Sequence, residues 1–209
     1  MSGNDELTRV EPAARASWRN RDYDPSLAAS FVDLAGAVRE FQNRLAGAAP
    51  PSEFSADLAD RVRAMTLELA QFQVSERNAM FGHVDVPGRA QTLSPVSTST
   101  RWDRDGVGGT VRFGRFYLGG NGAVHGGAIP LLFDEVLGRL ANTDRRPSRT
   151  AYLHVNYRAI APLDTDLSIE ARFEREEGRK RFLVAELRVG DVVVAEAEGL
   201  FVQLNPDQP

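Results

Sequence analysis

From Ala128 onward, apolar residues recur at the spacing of one buried helical face: Ile129, Leu132, Phe133, Val136, Leu137 and Leu140 fall at i, i+3, i+4, i+7, i+8 and i+11. Pro130 fits such a helix only in its first turn, where the missing N–H is not needed. Downstream the period changes to two. Thr150 to Tyr157 alternates Ala151, Leu153, Val155 and Tyr157 against Thr150, Tyr152, His154 and Asn156. Leu167 to Phe173 sets Leu167, Ile169, Ala171 and Phe173 against charges. Turns at Glu176-Glu177-Gly178-Arg179 and Gly190-Asp191 separate two further strands, Arg181 to Val189 and Val192 to Leu204. Upstream, Ser97 to Asp103 and Val107 to Tyr117 read as a hairpin about Arg104-Asp105-Gly106. A hairpin, one buried helix and then antiparallel strands is α+β order, which an antiparallel sheet wrapped around a central helix satisfies. Such a sheet keeps an open edge that must be paired or protected.

The first half of the chain is helical in pattern. Phe31, Leu34, Val38, Phe41 and Leu45 share one face, and the pattern stops at Gly47-Ala48-Ala49-Pro50-Pro51. A second helix is expected after Ser55 as N-cap, with Leu58, Val62, Met65, Leu69 and Phe72 in register. The two read as an antiparallel pair that needs a surface to cover. Residues 1–27 mix charges with prolines and read as a loosely docked arm, and residues 73–96, with His83, as a loop of unusual length. The expected division is therefore residues 1–96 (arm, helical pair, loop) and residues 97–209 (sheet and central helix).

With 209 residues and 42% hydrophobic content the chain can bury one sizeable core. It contains no cysteine, so neither a disulfide nor a thiol nucleophile is available. A net charge of −4 and a pI near 5.5 give no global reason to expect a nucleic-acid partner. No signal-like or membrane-spanning run is evident, and a cytoplasmic protein without a membrane partner is expected. No phosphate-binding loop, dinucleotide fingerprint or HExxH motif occurs, so no cofactor and no metal are expected.

The unusual chemistry lies in Gly119-Gly120-Asn121-Gly122-Ala123-Val124-His125-Gly126-Gly127, where five glycines in nine residues predict a loop that is neither helix nor strand. It feeds directly into the apolar helix. Amides at Gly126 and Gly127 point out of the helix N-terminus with the positive end of the dipole behind them, a site for a developing oxyanion. Asp134 shares a stripe with Gly127, Leu131, Gly138 and Ala141, and a carboxylate on this helix is costly to bury without a purpose. Glu135 is expected to pair with Arg139 at i+4. Asp134 can act as general base or as nucleophile, His125 can cap the loop or touch substrate, and Thr150 can donate to the carboxylate or to a water.

His-Gly-Gly, an aspartate nine residues after the histidine, and Thr150-Ala151-Tyr152-Leu153-His154-Val155-Asn156-Tyr157 sixteen residues further on resemble the hotdog-fold acyl-CoA thioesterases of the phenylacetate-degradation, or PaaI-like, type. The resemblance runs from about Arg89 to the C-terminus. It implies a hotdog fold with an extra N-terminal helical segment, hydrolysis of an acyl-CoA to acid and thiol, and a homodimer or dimer of dimers. Its active site would lie across the subunit interface, so that Asp134 serves the partner's glycine pair. Asn121 and Tyr152 are candidate substrate contacts, and Arg158, Arg179, Lys180 and Arg181 are candidates for the coenzyme A phosphates. Two departures stand out: Gly119 occupies the position six before the histidine where many members carry asparagine, and Ile160 replaces a proline after the strand tyrosine. Gly119 motivates the alternative of a non-catalytic acyl-CoA-binding or regulatory protein. A hotdog hydratase would need an acid farther along the helix, where this chain has Arg139.

Overall fold

A computed structural model describes residues 23–205. Its centre is helix α3 (Ala128–Asn142), gripped by a six-stranded antiparallel sheet. The strands are β1 (Ser97–Trp102), β2 (Gly106–Arg112), β5 (Ser148–Tyr157), β6 (Asp166–Glu177), β7 (Lys180–Val189) and β8 (Val192–Gln203), in the order β1-β2-β6-β7-β8-β5. This is the hotdog arrangement. All six apolar positions of the helical pattern are buried, Leu132, Phe133, Leu137 and Leu140 completely. They meet Val107, Val111, Leu167, Ile169, Leu183, Leu187 and Phe201 from the inner face of the sheet. Helix and sheet approach closely at Gly199, where a Cβ would lie 2.8 Å from the Phe201 ring and 3.2 Å from Leu137.

The glycine-rich stretch differs from its expected irregular form. Leu118–Gly120 (β3) and Ala123–Val124 (β4) make a small antiparallel ladder joined by Asn121-Gly122, with φ of 49° and 75°. Positive φ at both loop residues is what a two-residue hairpin needs, and Asn-Gly meets it with little strain. The ladder is stitched to the stretch after β5 by Val124 N–H to the Ala161 carbonyl (2.8 Å) and Leu163 N–H to the Gly122 carbonyl (2.9 Å).

Helix α1 spans Pro25–Ala46, starting earlier than its apolar pattern, because Asp24 caps it by accepting from the amides of Ser26 and Leu27. Of the expected arm, residues 1–22 lie outside the described residues. Helix α2 (Ser52–Ala70) is preceded by Pro51, and Ser55 lies within its first turn with its hydroxyl donating to the Pro51 carbonyl, so it is not the N-cap. The expected antiparallel pair does not form. The two helices barely touch, α2 buries none of its residues, and the stripe from Leu34 to Leu45 stays largely exposed, as does Phe72 at 70%. Instead α1 turns Ala28, Phe31, Val32 and Ala35 toward Val84 and Ala90 of the segment 79–96. Arg39 holds that segment through the carbonyls of Gln91 and Ser94. This long connection contains a short 3-10 turn at Glu76–Asn78 and a left-handed turn within Pro87–Ala90, where φ is 70° at Gly88, 47° at Arg89 and 52° at Ala90.

Glu135 also departs from expectation. Its partner is Arg89 of the 79–96 segment, at 3.2 Å, in a mostly buried pair whose skewed approach leaves Arg89 Nε without a linear hydrogen bond. Arg139 instead stacks over the Trp102 ring at 4.5 Å, and burial lowers its pKa from the ordinary value.

Candidate active site

Strand β5 carries a bulge. Thr150 pairs with Phe201 and Tyr152 with Leu200, so two residues of β8 face three of β5. The extra residue turns Thr150 to the inner face that Leu153 and Val155 also occupy, opposite the alternation read from sequence. There its Oγ1 donates to Asp134 Oδ1 at 2.8 Å. Asp134 itself is exposed, so the burial expected from its apolar helix does not hold within one chain. It looks out beside β5, which is paired on one side only, with β8, among the described residues.

The same bulge leaves Tyr152 on the outer face. Its ring stacks on His154 (centroids 4.5 Å apart), and its hydroxyl donates to Glu198 at 2.7 Å, which raises the phenol pKa. Away from Asp134, it is not placed to touch an acyl group beside that carboxylate. Asn121 is the tip of the β3–β4 turn, where its left-handed backbone accounts for its identity.

The helix start is closely fastened. His125 N–H donates to the Tyr117 carbonyl (2.7 Å), Ala128 N–H to the His125 carbonyl (2.9 Å), and Gly127 N–H to His125 Nδ1 (2.9 Å). The Gly127 amide, expected to face substrate, is therefore occupied by the imidazole, and His125 Nε2 carries the proton in the neutral ring. The Gly126 amide has no partner among the described residues and remains as the available donor. Its carbonyl accepts from Tyr157 Oη at 2.6 Å. Tyr157 was not among the candidates; the signal was a tyrosine ending the register of Leu153 and Val155, on the face of β5 that looks toward the helix start.

Gly119 has a steric explanation. A Cβ there would lie 2.8 Å from His125 Cα and 3.0 Å from His125 N, so β3 runs too close to the loop for any side chain. Gly119→Ala is expected to displace His125 and its fastened amides. It should lower the melting temperature and reduce any turnover, as a thermal melt and a rate assay on one preparation would show; unchanged values in both would contradict this account.

The basic candidates separate. Arg179 and Lys180 are exposed on the β6–β7 turn, with Arg179 donating to the Gln203 carbonyl and Asn205 Oδ1. They lie at the end of the sheet that carries Thr150, since Arg181 pairs with Phe201 and Phe201 with Thr150. Arg158 lies at the other end of β5, in an ion pair with Glu196 at 2.8 Å. Arg181 is 2% exposed and donates to Glu176, Gln203 and the carbonyls of Ala141 and Arg146. A phosphate cannot reach it, so it leaves the list of substrate contacts.

Within one chain Asp134 and the helix start are apart. Asp134 lies seven positions beyond Gly127, about 10 Å at the helical rise, too far for both to serve one carbonyl. Among the described residues no cluster of histidines and carboxylates could hold a metal, and no helix is long and apolar enough to cross a membrane.

Residues 121–196 match the family model of the thioesterase superfamily. The chain is similar to acyl-coenzyme A thioesterase THEM4 of Bos taurus, 33% identical over 97 residues, covering 46% of this chain and 40% of the relative. THEM4 of Mus musculus is 32% identical over 90 residues, covering 42% of this chain and 39% of its own. The chain thus matches about two fifths of the length of these curated relatives. A solved structure described as a thioesterase superfamily protein superposes with a TM-score of 0.71 at 25% identity, over 82% of this chain and 94% of its own. A Streptococcus mutans protein solved bound to acetyl CoA shares the fold, with a TM-score of 0.50 at 19% identity over 52% of this chain and 89% of its own.

Proposed function

We propose that this chain, a hotdog-fold member of the thioesterase superfamily, hydrolyses an acyl-CoA thioester at a site shared by two copies. The observation that carries the reading is the exposed Asp134 carboxylate, held through Oδ1 by Thr150 at 2.8 Å beside the open edge of β5. With Oδ1 fixed, Oδ2 is left to take a proton. Water attacks the thioester carbon, its proton passes to Asp134, and the oxyanion accepts from the free Gly126 amide at the positive end of α3. Collapse of the tetrahedral intermediate breaks the carbon–sulfur bond, and the proton on Asp134 goes to the departing thiolate, giving free acid and coenzyme A. His125 holds the neighbouring amide rather than serving as base.

The separation along α3 supports the shared site. Pairing β5 with β5 of a second copy about a two-fold axis sets the two α3 helices antiparallel and turns Asp134 of one copy toward the helix start of the other. It also satisfies the open edge. Arg179 and Lys180, exposed at the Thr150 end of the sheet, are the proposed phosphate contacts, and Arg158 is the weaker candidate because Glu196 already neutralises it. Similarity to the THEM4 acyl-CoA thioesterases points to the same substrate class.

Free-thiol release from short, long and aromatic acyl-CoAs, with light scattering on the same preparation, tests this. Saturable release by a particle of at least two chains is expected. Measurable acyl-CoA binding without release across the panel would favour the non-catalytic binding protein instead. Single turnover in ¹⁸O-water tests the nucleophile, since an anhydride opened by water at the Asp134 carbonyl leaves an Asp134 oxygen in the product and the label in the carboxylate.

A further inference from the structure

We infer that Tyr157 is a positioning residue for the oxyanion site, locking the direction of the Gly126 amide through its hydrogen bond to the Gly126 carbonyl. The inference rests on the thioesterase reading and extends it to a residue that touches neither the carboxylate nor its threonine. Two adjacent glycines at a helix start give the backbone unusual rotational freedom, because neither carries a Cβ to restrict it. An amide that must meet a developing charge cannot be left to that freedom, since preorganised donors stabilise because they need not reorient.

The peptide plane between Gly126 and Gly127 is fastened at both ends. Tyr157 Oη donates to its carbonyl at 2.6 Å, and His125 Nδ1 accepts from its N–H at 2.9 Å. The preceding plane is held by its carbonyl alone, through Ala128 N–H. Its own N–H, that of Gly126, is the group left open. Fixing the second plane limits rotation about the Gly126 Cα and therefore the direction of that open amide. Tyr157 suits this because it ends β5 in the inner-face register with Leu153 and Val155. The ring also lies against Gly126, where a Cβ would meet its hydroxyl at 3.7 Å.

The phenol comes from the edge strand proposed to pair between copies, so assembly and amide alignment would be mechanically joined through one residue. His125 secures the second plane from within the loop, and Tyr157 secures it from the sheet.

The test is Tyr157→Phe, which removes one hydroxyl from a half-exposed ring and leaves the packing surface intact. Acyl-CoA kcat is expected to fall about ten- to a hundredfold, less than the full loss of a donor, with KM changed under about threefold. A second measurement reads the alignment directly. In the Asp134→Asn background, where slowed hydrolysis is expected to leave acyl-CoA bound, the infrared carbonyl stretch of the thioester should move toward the free-solution frequency when Tyr157→Phe is added. A folded Tyr157→Phe protein with unchanged kcat overturns the inference, and so does a fall in kcat and melting temperature with no change in the carbonyl band. Absence of turnover by the wild type would overturn the thioesterase reading and this inference together. An active wild type with an indifferent Tyr157→Phe variant sinks this inference alone.

Discussion

Asp134→Asn is expected to reduce acyl-CoA hydrolysis by roughly a thousandfold, within the range typical for loss of a general base, while the melting temperature stays within about a degree. The substitution is nearly isosteric. The asparagine Oδ1 can still accept from Thr150 Oγ1, so the arrangement seen at 2.8 Å survives and only basicity is lost. Little stability is at risk, because Asp134 is exposed while the core side of α3 is made by Ile129, Leu132, Phe133, Val136, Leu137 and Leu140. Thr150→Ala should act more weakly, since it frees the carboxylate without removing it. The measurement is steady-state thiol release beside a thermal melt. A loss below tenfold in Asp134→Asn would remove this carboxylate from the chemistry and shift attention to the imidazole and amides of the helix start.

Much of this site was legible because two periods are hard to imitate. The stripe from Ile129 to Leu140 could bury itself only as a helix, and the alternations after Thr150 only as strands, so the buried helix and the antiparallel strands followed from spacing, while their wrapping into one layer around that helix was what the family resemblance implied. The Asp134–Thr150 contact was one of two roles open to Thr150, beside holding a water, yet strict alternation placed Thr150 on the wrong face. A bulge decides its direction, and a bulge depends on how β5 registers against β8 rather than on β5 by itself. Asn121-Gly122 is a turn signal masked by the surrounding glycines, which weaken any strand pattern on either side of it. The N-terminal helices failed differently. Their stripes are correctly periodic, but a stripe states that a partner surface is needed without saying where it lies, and among the described residues α2 meets none. Arg181 was grouped with Arg179 and Lys180 as a basic cluster, although strand alternation points it inward with Leu183, Ala185 and Leu187.

That inward arginine carries the second large prediction. Arg181→Met should destabilise the fold by about 3–5 kcal/mol, as breaking buried charged networks does, which for a domain of this size lowers the melting temperature by roughly 10 °C. The guanidinium spans four elements. It donates to Glu176 on β6 (3.1 Å), to Gln203 on β8 (3.2 Å), to the Ala141 carbonyl in the last turn of α3 (2.9 Å) and to the Arg146 carbonyl in the connection to β5 (2.7 Å). A helix C-terminus presents carbonyls without partners and the negative end of its dipole, and a buried cation answers both. Methionine fills similar volume but leaves the Ala141 and Arg146 carbonyls without this donor, and the cost of unmet buried acceptors outweighs any gain from an apolar replacement. Because the clamp holds the chain just before Ser148, where β5 begins, loosening it should also spread the Thr150–Asp134 contact and lower kcat in protein that remains folded. Lys180→Ala, one residue away and exposed, serves as the control, with a change within about 0.5 kcal/mol. Equal melting shifts for the two variants would show that the Arg181 network holds no more than an ordinary surface charge does.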